Sequence, residues 1–439
     1  MMRAVADTAD VAAPRLLREL RRTDLVALTV NNVIGAGIFT MPAALAAGAG
    51  GASLAVLLLT IVLAAMMALC LAEVGSRFDR TGGPMIYASE VFGRHAGFLV
   101  GWLMFLSRLS AFGAIAVVML DYAAGLWPAL GSTGARLIAV TILVAALAAV
   151  NARGVALGAY MSSVFAVAKV VPLALVAGAG LWMVGQASAA LPSPGNSGSL
   201  GGAVLVAFFA CMGFETATVV AGEVRRPGRD LAVGILGGMS VVAFVYTLLM
   251  IACLRAVPDL AHASRPLAAA AAAALGARGA TIVSMTAVLS CAGALTVNMM
   301  STPRVLYALS VQGDLPPVLA SVHPHRRTPA VAIAVSAVTI WLLTVSGTFV
   351  YLATFSAMAR LLMYGSTCAA LIVLRRRDGP APVAVPWGPA LSVLSILVAV
   401  AAIVATAGTQ VRDLTIAVVL GWAVRAVFRH RRNPAPVEA

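Results

Sequence analysis

The chain has 439 residues, of which 61% are hydrophobic and only 10% are charged. Soluble domains are about 45–50% apolar and about 25% charged, so this composition excludes a water-soluble enzyme, a secreted domain and a disordered chain. It indicates a membrane protein with several spans. The net charge of +14 does not indicate nucleic-acid binding, because the basic residues lie mostly in loops between apolar segments.

Twelve segments have roughly the length and apolar character of membrane spans, since about 17–25 apolar residues cross the hydrocarbon of a bilayer. The fourth and twelfth are the shortest. We expect 1–24 and 431–439 to be polar cytoplasmic ends and 25–430 to be one membrane domain. The twelve segments are 26–47, 52–72, 96–122, 136–151, 155–182, 201–222, 231–254, 280–302, 329–347, 349–374, 388–408 and 413–428.

Basic residues concentrate in alternate loops, and this asymmetry sets the orientation of a membrane protein. Placing both termini in the cytoplasm puts Arg225, Arg226 and Arg375 inside. The uncharged loop at 183–200 then lies outside, between the fifth and sixth spans. The sequence therefore predicts a multi-pass protein of the inner (cytoplasmic) membrane.

Glycines interrupt two of the spans near their middle. The first contains NNVIGAGIFTMP (31–42) and the sixth contains AFFACMGFETAT (207–218), and each begins a set of five spans, 26–182 and 201–374. One alternative is that the glycines only allow close helix packing. Matched interruptions in two halves, however, are typical of transporter binding sites. Unwound backbone needs polar partners in a membrane, and half-helix N-termini favour a carboxylate.

Five segments occur in the order seen in one transporter family. They are IGAGIF (34–39), AEVGSRFDRTGGPMIY (72–87), NARGVALGAYMSSVFAVAKVVPL (151–173), GFETATVVAGEVRRPGRDL (213–231) and STPRVLYALSVQGDLPP (301–317). Together they resemble the amino acid–polyamine–organocation (APC) superfamily of permeases, in particular the bacterial amino acid permeases. The resemblance extends from about residue 25 to residue 430.

The resemblance implies an all-α polytopic protein with a LeuT-like five-plus-five inverted repeat, two additional C-terminal helices at 388–428, and alternating access. It also implies that main-chain groups at both interruptions bind the substrate, with Phe209 serving either as an aromatic lid or as a packing residue. Many family members have a hydroxyl residue where this chain has Ala36. The implied substrate-binding residues are Ile34, Ala36, Gly37, Phe209, Ala210, Met212 and Gly213.

Four ionisable residues fall near the middle of predicted spans, where a charge is costly unless it is paired or hydrated. Lys169, the sole lysine, could couple transport to protons or could be a permanently charged structural residue. Glu215 could gate or carry a proton, or cap the unwound segment. Arg108 could contact a substrate side chain, follow a water-filled path or, as we favour, pair with Glu215. Arg360 could form a similar pair or help to close the inner gate.

These observations predict secondary active transport of amino acids, in the form of proton-coupled uptake of neutral amino acids. Neutral substrates are favoured because Glu215 is the only carboxylate in the middle of a span. The alternatives are an amino acid/amine exchanger of the same fold and, less favoured, a membrane-embedded lipid-modifying enzyme, for which no HExxH or Asp-rich motif is present. We expect no cofactor and no metal. The expected partners are an amino acid or related amine, protons and the bilayer.

Overall fold

A computed structural model describes residues 20–78, 83–153, 173–174, 176–178, 199–219, 224–324, 326–406 and 408–430. Within these ranges the regular secondary structure is helical, and the β-contact is an isolated parallel bridge between Leu20 and Val224. The helices are α1 (Arg22–Val33), α2 (Gly37–Ala49), α3 (Ser53–Gly75), α4 (Pro84–Phe92), α5 (Arg94–Leu126), α6 (Thr133–Arg153), α7 (Leu200–Cys211), α8 (Thr216–Val219), α9 (Pro227–Ala256), α10 (Pro266–Val311), α11 (Ala330–Ser346), α12 (Phe349–Asp378), α13 (Gly388–Val404) and α14 (Gly408–His430).

Several of these helices are long and apolar enough to cross a bilayer. In the described part of the chain seven helical segments meet that description, or eight if α13 and α14 form one bent span. The chain is therefore an all-α polytopic membrane protein, as the sequence predicts. The twelve spans and the inverted repeat stay predictions, because α11 has only 17 residues and most of 155–182 lies outside the described residues.

Burial separates the helices at the centre of the bundle from those at its edge. The most apolar stretch of α5 is 83% buried inside the protein, whereas that of α6 is 11% buried. The segment that combines α7 and α8 is 72% buried. Helices α5, α7 and α8 therefore form the interior, where a substrate site shielded from lipid would lie.

Two features differ from the expected spans. Helix α4 lies between the second and third predicted spans, and α10 begins at Pro266 rather than at 280. Gly276 interrupts α10 with φ 68°, a conformation that a side chain disfavours. The alanine-rich stretch before Gly276 lies outside the predicted spans, and its ten residues are too few to cross a bilayer.

Candidate functional site

The first span is broken at 34–36, and we call these residues the first break. Helix α1 ends at Val33 and α2 begins at Gly37. At the end of α1 the Ile34 N–H donates to the Val30 carbonyl at 2.9 Å, and the Gly35 N–H donates to the Val33 carbonyl at 2.7 Å. The first N–H groups of a new helix have no partner within that helix. The start of α2 therefore supplies donors inside the membrane.

The sixth span is broken at 212–215, which we call the second break. Helix α7 ends at Cys211 and α8 begins at Thr216. Gly213 has φ 126°, which is open to glycine and strained for any other residue. A Cβ atom at Gly213 would lie 2.8 Å from the Asn32 carbonyl oxygen. The second break therefore packs directly against the end of α1.

A second close contact joins the two broken spans. A Cβ atom at Gly37 would lie 2.6 Å from the Ala210 Cα atom. Gly37 thus allows the main chains of α2 and α7 to touch. This contact gives Gly37 a packing role, in addition to the substrate-binding role that the family resemblance implies.

The hydroxyl of Tyr246 on α9 lies between the two breaks. It is 2.9 Å from the Val33 carbonyl oxygen and 2.9 Å from the Ala210 carbonyl oxygen, and the side chain is fully buried. These carbonyls lie at the ends of α1 and α7, where the last carbonyl groups of a helix have no N–H partner within that helix. One hydroxyl therefore fixes the position of both breaks.

A cavity of about 120 Å³ lies against both breaks. Helices α5, α10 and α12 complete its wall. Residues of the described part that line it include Asn31, Asn32, Val33, Gly35, Ala36, Arg108, Ala111, Ile115, Phe209, Met212, Gly213, Glu215, Thr216, Ser290, Gly293, Ala294, Val297, Asn298 and Arg360. Most of the residues singled out in the sequence thus meet in one place.

Three of the expected substrate-binding residues do not line the cavity. Ile34 is 4% exposed and Ala210 is fully buried, and Gly37 is packed against Ala210. Gly37 on α2 and Ala210 on α7 contact each other. Any contact they make with a substrate would have to come from main-chain groups.

Glu215 is the carboxylate of the cavity. Its Oε2 atom accepts hydrogen bonds from the Tyr364 hydroxyl at 2.5 Å and from the Gly213 N–H at 3.0 Å. The nearest guanidinium nitrogen of Arg360 is 3.7 Å from its Oε1 atom. Glu215 thus caps the unwound segment and forms an ion pair with Arg360. A gating or proton-carrying role for Glu215 stays a prediction.

Arg108 does not make the expected ion pair. Its Nη1 atom donates to the Ser301 hydroxyl, and among the described residues no carboxylate lies within 4 Å of it. The pairing with Glu215 was a wrong prediction for Arg108, because Arg360 on α12 occupies that position. The position of each arginine within its predicted span indicates that both lie near the middle of the membrane. It does not show which of them faces Glu215.

Phe209 lies at the end of α7 and lines the cavity. It is 8% exposed and packs edge-to-face against Phe349, with ring centroids 6.2 Å apart. This position suits both the lid and the packing interpretation. Lys169 lies outside the described residues, so its coupling role stays a prediction.

Several polar cavity residues were missed by sequence reasoning. Asn31 and Asn32 precede the first break, and Asn298 and Ser290 lie on α10. The Asn-Asn pair inside an apolar span was the available signal, because an amide is costly in a membrane without a partner. Tyr246 and Tyr364 gave no such signal, since tyrosines are common in spans.

Comparison with known proteins shows which family the chain resembles. The profile of the amino acid permease family matches residues 20–424. The chain is 26% identical to the serine/threonine exchanger SteT of Bacillus subtilis over 94% of this chain and 96% of that protein. It is 29% identical to the mouse large neutral amino acids transporter small subunit 2 over 84% of this chain and 73% of that protein. It is 27% identical to the mouse b(0,+)-type amino acid transporter 1 over 84% and 79% of the two chains.

The helix breaks, the cavity between them and the match over nearly the whole chain agree with one another. The chain belongs to the amino acid permease family.

Proposed function

We propose that the protein carries amino acids across the inner membrane by alternating access, binding them in the cavity between the two breaks. The observation that carries this proposal is the meeting of two broken helices at one cavity. Both the family and its named relatives are transporters, which argues against a lipid-modifying enzyme.

The chemistry of the breaks suits an α-amino acid. The first N–H groups of α2, which have no partner within that helix, attract a carboxylate. Carbonyl groups at the ends of α1 and α7 attract an ammonium. Main-chain groups recognise what all amino acids share. Side-chain selectivity then falls to the residues on α5, α10 and α12 that complete the wall.

We propose obligatory exchange as the mode of transport. The support is the similarity over 94% of the chain to a protein named as an exchanger. Exchange requires only that the loaded carrier reorients. Proton-coupled uptake, the mode that the sequence favoured, is the second candidate because the Glu215 carboxylate is 6% exposed beside the cavity.

The two modes are separated in proteoliposomes made with the purified protein. An exchanger takes up labelled amino acid only into vesicles preloaded with unlabelled amino acid, and an imposed pH gradient does not drive accumulation into empty vesicles. Gradient-driven accumulation into empty vesicles would contradict exchange. In that case Lys169→Ala should lose gradient-driven uptake while retaining counterflow, if Lys169 is the coupling residue. Lys169→Arg, which cannot deprotonate, is the matched variant.

The arrangement of spans is part of the same proposal. Repeat one would occupy 26–182, repeat two 201–374, and both termini would be cytoplasmic. Reporter fusions would then place 183–200 outside and 375–386 inside. An inside result for 183–200 would contradict the twelve-span arrangement.

A further inference from the structure

The ionisable side chains that line the cavity do not balance in charge. In the described part of the chain they are Arg108, Arg360 and Glu215. Two arginines against one ionised glutamate leave an excess of one positive charge. If Glu215 were protonated, the excess would be larger. The wall of the cavity is therefore cationic in either state.

The excess charge is concentrated on Arg108. Glu215 already interacts with Tyr364, with the Gly213 N–H and with Arg360. Arg108 has a neutral partner, the Ser301 hydroxyl, which itself donates to the Asn298 carbonyl at 3.2 Å.

The guanidinium of Arg108 retains donors that a ligand could use. A guanidinium carries five N–H donors, and none of the nitrogens of Arg108 is both buried and without a partner. Those that Ser301 does not engage are therefore open to the cavity that the side chain lines. Arg360 differs, because its Nε atom is buried without a hydrogen bond.

A zwitterionic amino acid with an uncharged side chain would leave this positive charge uncompensated in the middle of the membrane. A cationic side chain would increase it. A side-chain carboxylate would cancel it, and its two oxygens match the fork of a guanidinium. The sequence-based preference for neutral substrates counted the carboxylates of the spans and did not set the arginines against them.

We propose that the cavity selects amino acids whose side chain carries a carboxylate, and that Arg108 is the residue that binds this carboxylate. The inference rests on the proposed function, because the breaks are taken to hold the α-amino and α-carboxyl groups. Arg360 would contribute long-range attraction while remaining beside Glu215.

The sharpest test compares L-glutamate with L-glutamine, which have nearly the same size and differ in charge. Counterflow into preloaded proteoliposomes is measured for both labelled amino acids with the wild-type protein. We expect glutamate to be preferred at least about tenfold, since a buried charged pair is worth that much or more. Equal transport of the two, or a preference for glutamine, would overturn the inference while leaving amino acid transport intact.

Variants then assign the preference to Arg108. Arg108→Gln should lower the glutamate-to-glutamine ratio at least about tenfold, and Arg108→Lys should keep part of it. Arg278→Gln is the control, because Arg278 is exposed and does not line the cavity. An unchanged ratio in Arg108→Gln would overturn the role of Arg108. If Arg108→Gln does not fold, the glutamate-to-glutamine ratio of the wild-type protein still decides the substrate class. The ratio of Arg108→Lys then decides whether Arg108 binds the side-chain carboxylate. Transport of neither amino acid nor of any other would instead contradict the proposed function.

Discussion

Both helix breaks expose main-chain polar groups inside the membrane, but different groups satisfy them. At the first break, residues 34–36, the polar groups come from the main chain, and no ionisable residue lies within the break. At the second break, residues 212–215, the Glu215 carboxylate accepts from the Gly213 N–H and from Tyr364 on α12. The Ile34 and Gly35 N–H groups already bond to carbonyls of α1, so the donors on this side are the first N–H groups of α2, which have no partner within their helix. At the second break the Gly213 N–H is held by the Glu215 carboxylate.

The difference assigns separate tasks to the two breaks. N–H groups at the start of α2 that have no partner within their helix can exchange one substrate carboxylate for another. A break held by a side chain from a neighbouring helix links the site to the movement of that helix. Tyr246 joins the two, because its hydroxyl contacts a carbonyl at the end of each preceding helix.

The largest expected effect comes from adding one methyl group to Gly213 in the second break. Gly213→Ala forces a residue with a Cβ atom into φ 126° and places that atom 2.8 Å from the Asn32 oxygen. Such strain costs about 1–3 kcal/mol, so we expect counterflow to fall at least about tenfold. Gly35→Ala is the matched control, because its Cβ atom would meet its nearest neighbours at 3.9 Å. Comparable losses in both variants would contradict the account of the second break.

The next effect tests the side-chain support of the second break. Glu215→Gln removes the charge opposite Arg360, and Tyr364→Phe removes one hydrogen bond to the carboxylate. A hydrogen bond to a charged group contributes about 1.5–3 kcal/mol, so both variants should lower the melting temperature in detergent. Glu215→Gln should lower it further, because Arg360 is left without its partner. A more stable Glu215→Gln variant would show that the ion pair is not a net support.

A smaller effect is expected when the link between the breaks is removed. Tyr246→Phe leaves the Val33 and Ala210 carbonyls without this hydroxyl. We expect a loss of about 1–2 kcal/mol in stability and a slower exchange rate with little change in KM. Tyr307→Phe is the control, since Tyr307 does not line the cavity. Equal behaviour of the two variants would remove Tyr246 from the account.

The smallest effect is expected at Phe209. Phe209→Leu retains an apolar side chain but loses the edge-to-face contact with Phe349. Aromatic pairs add about 0.5–1.5 kcal/mol beyond their buried area, so KM should rise severalfold if the ring closes over the substrate. Phe349→Leu removes the same contact from outside the cavity wall. If both variants change stability but not KM, Phe209 is a packing residue.

The sequence predicted the positions of the two breaks but not the residues that contact them. Gly35, Gly37 and Gly213 predicted where the helices would unwind, because glycines recur at matched points of two apolar spans. The sequence could not show that Gly37 touches Ala210 or that Tyr246 contacts both breaks. Those contacts depend on which faces of neighbouring helices pack against each other. The hydropathy of a span indicates how deep a residue lies in the membrane, but not which neighbouring helix its side chain faces.

The same limit explains the error at Arg108. Helices α5 and α12 each place one arginine at the depth of Glu215, and the choice between them depends on the rotation of each helix. The first part of α10 differs for another reason. Its ten alanine-rich residues before Gly276 are too short to cross a bilayer, so span length could not identify them.

The most direct test of the central claim is whether an amino acid occupies the cavity between the breaks. Thr216 lines this cavity, and the native cysteines of the described chain are all buried. Thr216→Cys would be labelled with a small thiol reagent in detergent, with and without a saturating transported amino acid, and the exposed Ser132→Cys would serve as control. The account predicts that the amino acid slows labelling at Thr216→Cys strongly and leaves Ser132→Cys unchanged. Unaltered labelling of a transport-competent Thr216→Cys variant would contradict it.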